Sequence, residues 1–198
     1  WWQQASGDSV AGFFAGTRLT PVPVMMLPFS EVRESMPEAR VMSKDTGFNR
    51  SYGNNPYRGY DSSNEPFLLR NAAGLAETGA DAPGLLDRVV SLEHNGETTS
   101  VTYTALENEL VIERTLGGER FYFLWEAGTA SALDDSSIAD GSDVGSGNAF
   151  FARTRDGEAL ELRRRGDRIV DESGSRWNAA GRALSGPREG ERLLPAVG

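Results

Sequence analysis

"RVVSLEHNGETTSVTY", residues 88–103, places two short runs rich in β-branched and apolar residues on either side of an Asn-Gly pair. Asn-Gly accepts positive φ at both central positions of the tight turn whose twist matches paired strands, so this stretch predicts a β-hairpin. The pattern recurs downstream. "ELVIER" (109–114) and "ERFYFLW" (119–125) flank Gly117-Gly118, and "AFFART" (149–154) and "EALELRR" (158–164) flank Asp156-Gly157. "RIVDESGS" (168–175) follows as a further strand. Three hairpin signals in close succession predict a mainly β fold, with antiparallel hairpins forming a barrel-like or sandwich domain and few short helices.

Outside this region the signals are weaker. "SEVRESMPEA" (30–39) is the best helix candidate, with Ser30 as N-cap and Glu31 in the first turn. "RVMS" (40–43) reads as a short strand, and a short helix is expected around "DDSSIAD" (134–140). "DTGFNRSYGNNPYRGYDSSNEP" (45–66) is a long polar loop studded with tyrosines, and "NAAGLAETGADAPG" (71–84) is a flexible connector.

Composition narrows the function classes. The 198 residues carry a net charge of −9, and Lys44 is the only lysine. An acidic surface repels phosphate backbones, so nucleic acid is not expected as a partner. With no cysteine the chain has no disulfide, thiolate nucleophile or cysteine-ligated metal, and its single histidine, His94, excludes a two-histidine metal site. His94 adjoins the Asn-Gly turn and reads as an exposed turn residue. No apolar run is long enough for a membrane helix, because the longest, "PVPVMMLPF" (21–29), is broken by Pro21, Pro23 and Pro28. No cofactor is expected.

One pattern appears at both ends. "GDSVAGFFAGTRLTP" (7–21) and "GRALSGPREGERLLP" (181–195) share six identities in fifteen ungapped positions: Gly7/Gly181, Gly12/Gly186, Gly16/Gly190, Arg18/Arg192, Leu19/Leu193 and Pro21/Pro195. Trp2 precedes the first copy and Trp177 the second. Glycines at fixed offsets mark backbone that needs positive φ or close approach, and Trp and Leu supply anchors. This internal repeat divides the chain into the end of a first unit (1–28), a helix with the Tyr/Asn-rich loop and connector (29–85), and a second β-rich unit (86–198). On this reading the strands that should precede Trp1 are absent, and the chain lacks an N-terminal part.

"GYDSSNEPFLL", "RVVSLEHNGETTSVTYTAL", "GTASALDDSSIADGSDVGS" and "GSRWNAAGRALSGPREGERLLP" together resemble the uncharacterised domain of unknown function 3179 family. "WWQQASGDSVAGFFAGTRL" and "DTGFNRSYGNNPYRGYD" fit its longer members. The resemblance implies an exported bacterial or archaeal protein, located in the periplasm, at the cell surface or outside the cell. It implies no established reaction. Many members carry a Tyr-Cys-Pro-Leu-Cys type motif after the strand that here reads "RFYFLW"; this chain has "EAGTASALDD" (126–135) instead.

Three stretches stand out as candidate sites. Tyr52, Asn54, Asn55, Tyr57, Arg58, Tyr60 and Asp61 combine rigid contact area with adaptable hydrogen bonding, as a recognition loop would; the alternative is a self-packed loop covering the sheet. Asp134, Asp135, Asp140 and Asp143 offer oxygens to a hard cation, but their spacing fails the alternating rule of a calcium loop, which favours a solvated loop. "RRRGDR" (163–168) is the one basic cluster; alternate arginines of a strand face opposite sides, which argues for a solvated strand edge over a single anion patch. The expected function is that of a non-catalytic exported accessory or scaffold subunit with protein partners in an envelope or membrane-associated assembly. The alternatives are an enzyme or metal/redox protein whose cysteine-bearing half lies upstream of Trp1, and a carbohydrate-binding module using exposed aromatics.

Overall fold

A computed structural model of the chain describes every residue except 5, 21, 23, 62–82, 85, 197 and 198. Most of the expected connector, part of the long loop, and Pro21 of the repeat lie outside the described residues. The fold is mainly β, as its turns predict. After helix α1 (Phe29–Ser35) come β1 (Val89–His94), β2 (Glu97–Thr102), helix α2 (Tyr103–Glu109), β3 (Val111–Leu116) and β4 (Glu119–Glu126). A 3-10 turn at Ile138–Asp140 leads to β5 (Ser146–Thr154), β6 (Leu162–Arg165), β7 (Arg168–Asp171), β8 (Arg176–Trp177), β9 (Ala183–Ser185) and β10 (Leu193–Pro195). The first hairpin turns on Asn95 (φ 52°) and Gly96 (φ 79°), the second on Gly117 (φ 55°) and Gly118 (φ 82°). Both are the positive-φ turns that Asn and Gly permit.

The strands form the β1–β2 hairpin and two four-stranded antiparallel sheets, ordered β10-β5-β4-β3 and β6-β7-β8-β9. These sheets are layered and do not close into a barrel. β4 lies inside the first sheet and is buried on both faces. Tyr122 and Leu124 join Phe150, Leu162, Ile169, Trp177, Ala183 and Leu193 in one core between the two sheets. Phe121 and Phe123 face the other way, where Leu92, Val101 and Leu106 from the hairpin and α2 cover them.

Local differences from the sequence reading have physical causes. Only one bridge, Arg153↔Ala159, joins the flanks of the Asp156-Gly157 turn, because the chain then crosses to the second sheet and β6 pairs with β7. The Tyr122 hydroxyl holds this crossing: it donates to the Leu160 carbonyl at 3.2 Å and accepts from the Leu162 N–H at 3.2 Å. Helix α2 replaces the end of the expected strand after Thr102, whose side chain caps the helix by accepting from the Ala105 N–H. In α1 the cap position is Pro28, so Ser30 lies inside the helix and caps nothing. Residues 40–43 form no strand. His94 is half-buried, with its ring near-perpendicular to those of Phe121 and Phe151 at centroid distances of 5.1 and 5.6 Å.

The two terminal copies share one backbone. Gly7, Gly12 and Gly16 have φ of 72°, 97° and 85°, and Gly181, Gly186 and Gly190 have 67°, 99° and 87°. Ser9 N–H donates to Thr17 O and Ala183 N–H to Glu191 O; Gly16 N–H donates to Ser9 O and Gly190 N–H to Ala183 O. Leu19 N–H donates to Gly7 O and Leu193 N–H to Gly181 O. Bridges Trp2↔Ser9 and Asp8↔Arg18 match Trp177↔Ala183 and Arg182↔Arg192. Their surroundings differ sharply. Trp177 and Leu193 are 2% and 1% exposed, whereas Trp2 and Leu19 are 43% and 57% exposed.

This contrast predicts unequal mutants. Trp177→Ala empties a core site and removes the donor to Asp171, so it is expected to cost about 3–5 kcal/mol in a denaturation curve, whereas Trp2→Ala stays within about 0.5 kcal/mol of the parent. Tyr122→Phe leaves the Leu160 carbonyl and Leu162 N–H buried without that hydroxyl; a loss of about 1–3 kcal/mol is expected by the same measurement.

Candidate functional site

The Tyr/Asn-rich loop lies along residues 131–137, so two of the three stretches singled out in the sequence meet each other. Asn54 bridges Ser137; the Asn55 N–H donates to Ser136 O, and its buried side chain donates to Asp135 O at 2.7 Å. Gly59 and Tyr60 donate to Asp134 O and Leu133 O. Asp61 pairs with Arg88 at 2.9 Å and accepts from the Ser131 hydroxyl at 3.0 Å. Asn54, Asn55, Tyr60 and Asp61 are thus engaged within the chain, while Tyr52, Tyr57 and Arg58 stand exposed.

The acidic stretch is built around its own backbone. Asp134 accepts from the Ser142 and Asp135 N–H groups, and the Ser142 N–H is the main cause that holds its carboxyl below the usual range. Asp135 accepts from the Ser137 N–H, and Asp143 from those of Gly128, Thr129 and Gly145. Asp140 ends the 3-10 turn. Among the described residues no three His, Asp or Glu side chains gather closely enough to hold a metal ion.

The arginine cluster is organised by strand register. β6 is an edge strand, and Arg164 does face away from Arg163 and Arg165. Yet Arg163 pairs with Val170, Val170 with Arg176, and Arg165 with Arg168, so four arginines share the outer face of the second sheet. A shallow groove of about 480 Å³ lies there, lined by Arg165, Arg168, Val170, Arg176 and Ser185. Among the described residues the only ion pair these four arginines make is Arg168 to Asp167, at 3.7 Å.

A second cleft, of about 310 Å³, opens where the end of β4 meets the second sheet. Leu110, Trp125, Ile169 and Ala179 line its apolar part, and Arg164, Asp167, Arg168 and Arg176 its charged part. The cleft contains two polar groups that sequence reading did not single out. Glu126 follows the buried run of β4, and its Oε2 accepts from the Ala179 N–H at 3.2 Å. Burial pushes its carboxyl above the usual range; the charge of Glu31 adds to this, while the Ala179 N–H and Arg176 oppose it. Asn178 is 2% exposed, its Oδ1 accepts from the Arg182 N–H at 2.9 Å, and its Nδ2 has no partner. An unpaired buried amide donor costs about 1–3 kcal/mol, so this group requires an explanation.

Because the Glu126 carboxyl is raised on folding, the folded chain keeps that proton over a pH window in which the unfolded chain has lost it. Stability therefore falls as pH climbs through the window, and at neutral pH the ionised side chain is unfavourable. Glu126→Gln keeps an acceptor for the Ala179 N–H and removes the charge. It is expected to melt above the parent at neutral pH, with the difference vanishing once acid protonates the parent carboxyl in both states.

No curated protein and no solved structure matches the chain. A family profile described as "Protein of unknown function (DUF3179)" matches residues 1–197. That match spans both terminal copies, the hairpin region and the cleft, and the chain belongs to the DUF3179 family.

Proposed function

We propose that this chain is a non-catalytic, exported accessory subunit that scaffolds a larger envelope or membrane-associated assembly. Its N-terminal motif is the docking element. The supporting observation is one backbone in two environments. In the C-terminal copy, Leu193 lies beside Thr154 of β5, and Trp177 fills the core between the sheets. In the N-terminal copy the same backbone leaves Trp2, Val10, Phe13, Phe14 and Leu19 exposed, with Phe13 at 96%. The partner surface with matching chemistry is an antiparallel sheet of the β5 type, with an open edge and an apolar face.

The catalytic inventory agrees with this reading. Cysteine is absent, and the single histidine packs edge-on against two phenylalanines. The location outside the cytoplasmic membrane rests on the family resemblance alone. No helix among the described residues is long and apolar enough to cross a membrane.

Native mass spectrometry of gently extracted material tests the proposal. A partner chain in fixed stoichiometry is expected, and Trp2→Ser combined with Phe13→Ser releases it without lowering the melting temperature of the isolated chain. A parent protein that purifies alone as a monomer overturns the reading.

A further inference from the structure

We infer that the cleft beside Asn178 binds a small organic anion, a carboxylate or phosphate carried on an apolar body. Asn178 supplies the first argument. Its Oδ1 is committed to the Arg182 N–H, so turning the amide over would set two donors against each other. The Nδ2 is thereby left buried with no acceptor within the protein, in a residue that lines the cleft. The missing partner is an acceptor atom.

The charged rim points the same way. Arg176 makes no ion pair among the described residues, and Arg168 has only Asp167, whose side chain is 92% exposed. Arg164 donates to the carbonyls of Asn108 and Gly166 and adds positive charge without needing a ligand. These cations are concentrated against the −9 charge of the whole chain. Guanidinium groups favour planar or tetrahedral oxoanions through paired N–H donors.

Two carboxylates line the cleft, the exposed Asp167, which lies 3.7 Å from Arg168, and Glu126. Burial and the nearby charge of Glu31 raise the Glu126 carboxyl above the usual range, while the Ala179 N–H and Arg176 oppose that shift. Leu110, Trp125, Ile169 and Ala179 supply the apolar wall, and about 310 Å³ suits a small molecule and not a polymer.

The test uses the whole chain and four probes: benzoate, phenyl phosphate, inorganic phosphate and benzyl alcohol. Titration calorimetry and the side-chain amide signals of Asn178 are the readouts. The expected result is that benzoate or phenyl phosphate binds and shifts those signals, that inorganic phosphate binds at least tenfold more weakly, and that benzyl alcohol does not bind, about a tenfold step being one lost charge-assisted contact. The stronger of the two aromatic anions tells carboxylate from phosphate. Arg176→Gln, at an exposed position, should weaken binding by about tenfold. Asn178→Asp keeps the acceptor for Arg182 and replaces the donor by a negative oxygen, so it should abolish binding. The inference is overturned if no probe shifts the Asn178 amide at millimolar concentration, if benzyl alcohol binds as well as benzoate, if inorganic phosphate equals phenyl phosphate, or if Arg176→Gln binds like the parent.

Discussion

Everything in this fold depends on a strand that has no solvent face. β4 sends Phe121 and Phe123 into the cluster under β1, β2 and α2, and Tyr122 and Leu124 into the core between the sheets. A strand buried on both sides must pair both of its edges, and β3 and β5 do so over six registered positions each. Its one polar side chain in that run is then constrained. Burial pushes the Tyr122 phenol up to about 12, so it stays neutral and serves as both donor and acceptor. In that state it can bind Leu160 and Leu162 together, fixing where the chain leaves the first sheet and enters the second. The position of β6, and with it the arginine face and the cleft, follows from this one hydroxyl and its register.

What could be read from the sequence was local. Asn95-Gly96 and Gly117-Gly118 declare themselves because a positive-φ turn restricts residue type more strongly than any other local structure. The terminal repeat was legible for the same reason: its glycines adopt nearly equal φ in both copies. Sheet assignment was not legible. "AFFART" and "EALELRR" look like hairpin partners, and only the crossing held by Tyr122 separates them. The arginine face was obscured for a related reason. Alternation within β6 is a property of one strand, but Arg168 and Arg176 reach that face through pairings with β6 and β7. Glu126 and Asn178 were hidden altogether, since nothing in "RFYFLWE" or "RWNAAG" says that the two lie in one cleft. Of the stretches chosen by composition, the tyrosine loop and the aspartate loop turned out to bind each other's backbone, an association that residue content cannot specify.

One buried side chain fastens the segment between the copies to both sheets, alongside Met25, which packs against the core. Asn148 of β5 accepts from the Met26 N–H and donates to the Met26 and Ala179 carbonyls, each at 3.0–3.1 Å. It thereby joins the stretch after the first motif to the residue that follows Asn178. A buried amide making three hydrogen bonds fixes that stretch more tightly than an exposed ion pair would, because removing it leaves three backbone groups unsatisfied. Met26 is thus fixed, while Val10, Phe13, Phe14 and Leu19 of the preceding motif stay exposed.

The two copies also differ in a way that constrains what can cover the first. At the position of Arg188 in the second copy the first carries Phe14. Arg188 contacts Glu158 at 2.5 Å and Glu191 at 3.1 Å and lies 3.7 Å from buried Asp171, which itself accepts from Ser175 and from the Trp177 indole. Burial alone would raise the Asp171 carboxyl; bonds from Ser173, Trp177 and Ser175 outweigh that and hold it low, so the aspartate stays ionised opposite the arginine. Phe14 offers no such charge and instead packs edge-on to Phe13 and tilted against Trp2, at centroid distances of 5.0 and 6.1 Å. A surface that received this copy as the second sheet receives the other would need an apolar group where Asp171 stands, because a carboxylate buried against a phenyl ring would lose its hydration without compensation. The conserved backbone would set the geometry of docking, and this single exchange of arginine for phenylalanine would make the two receiving sites chemically distinct.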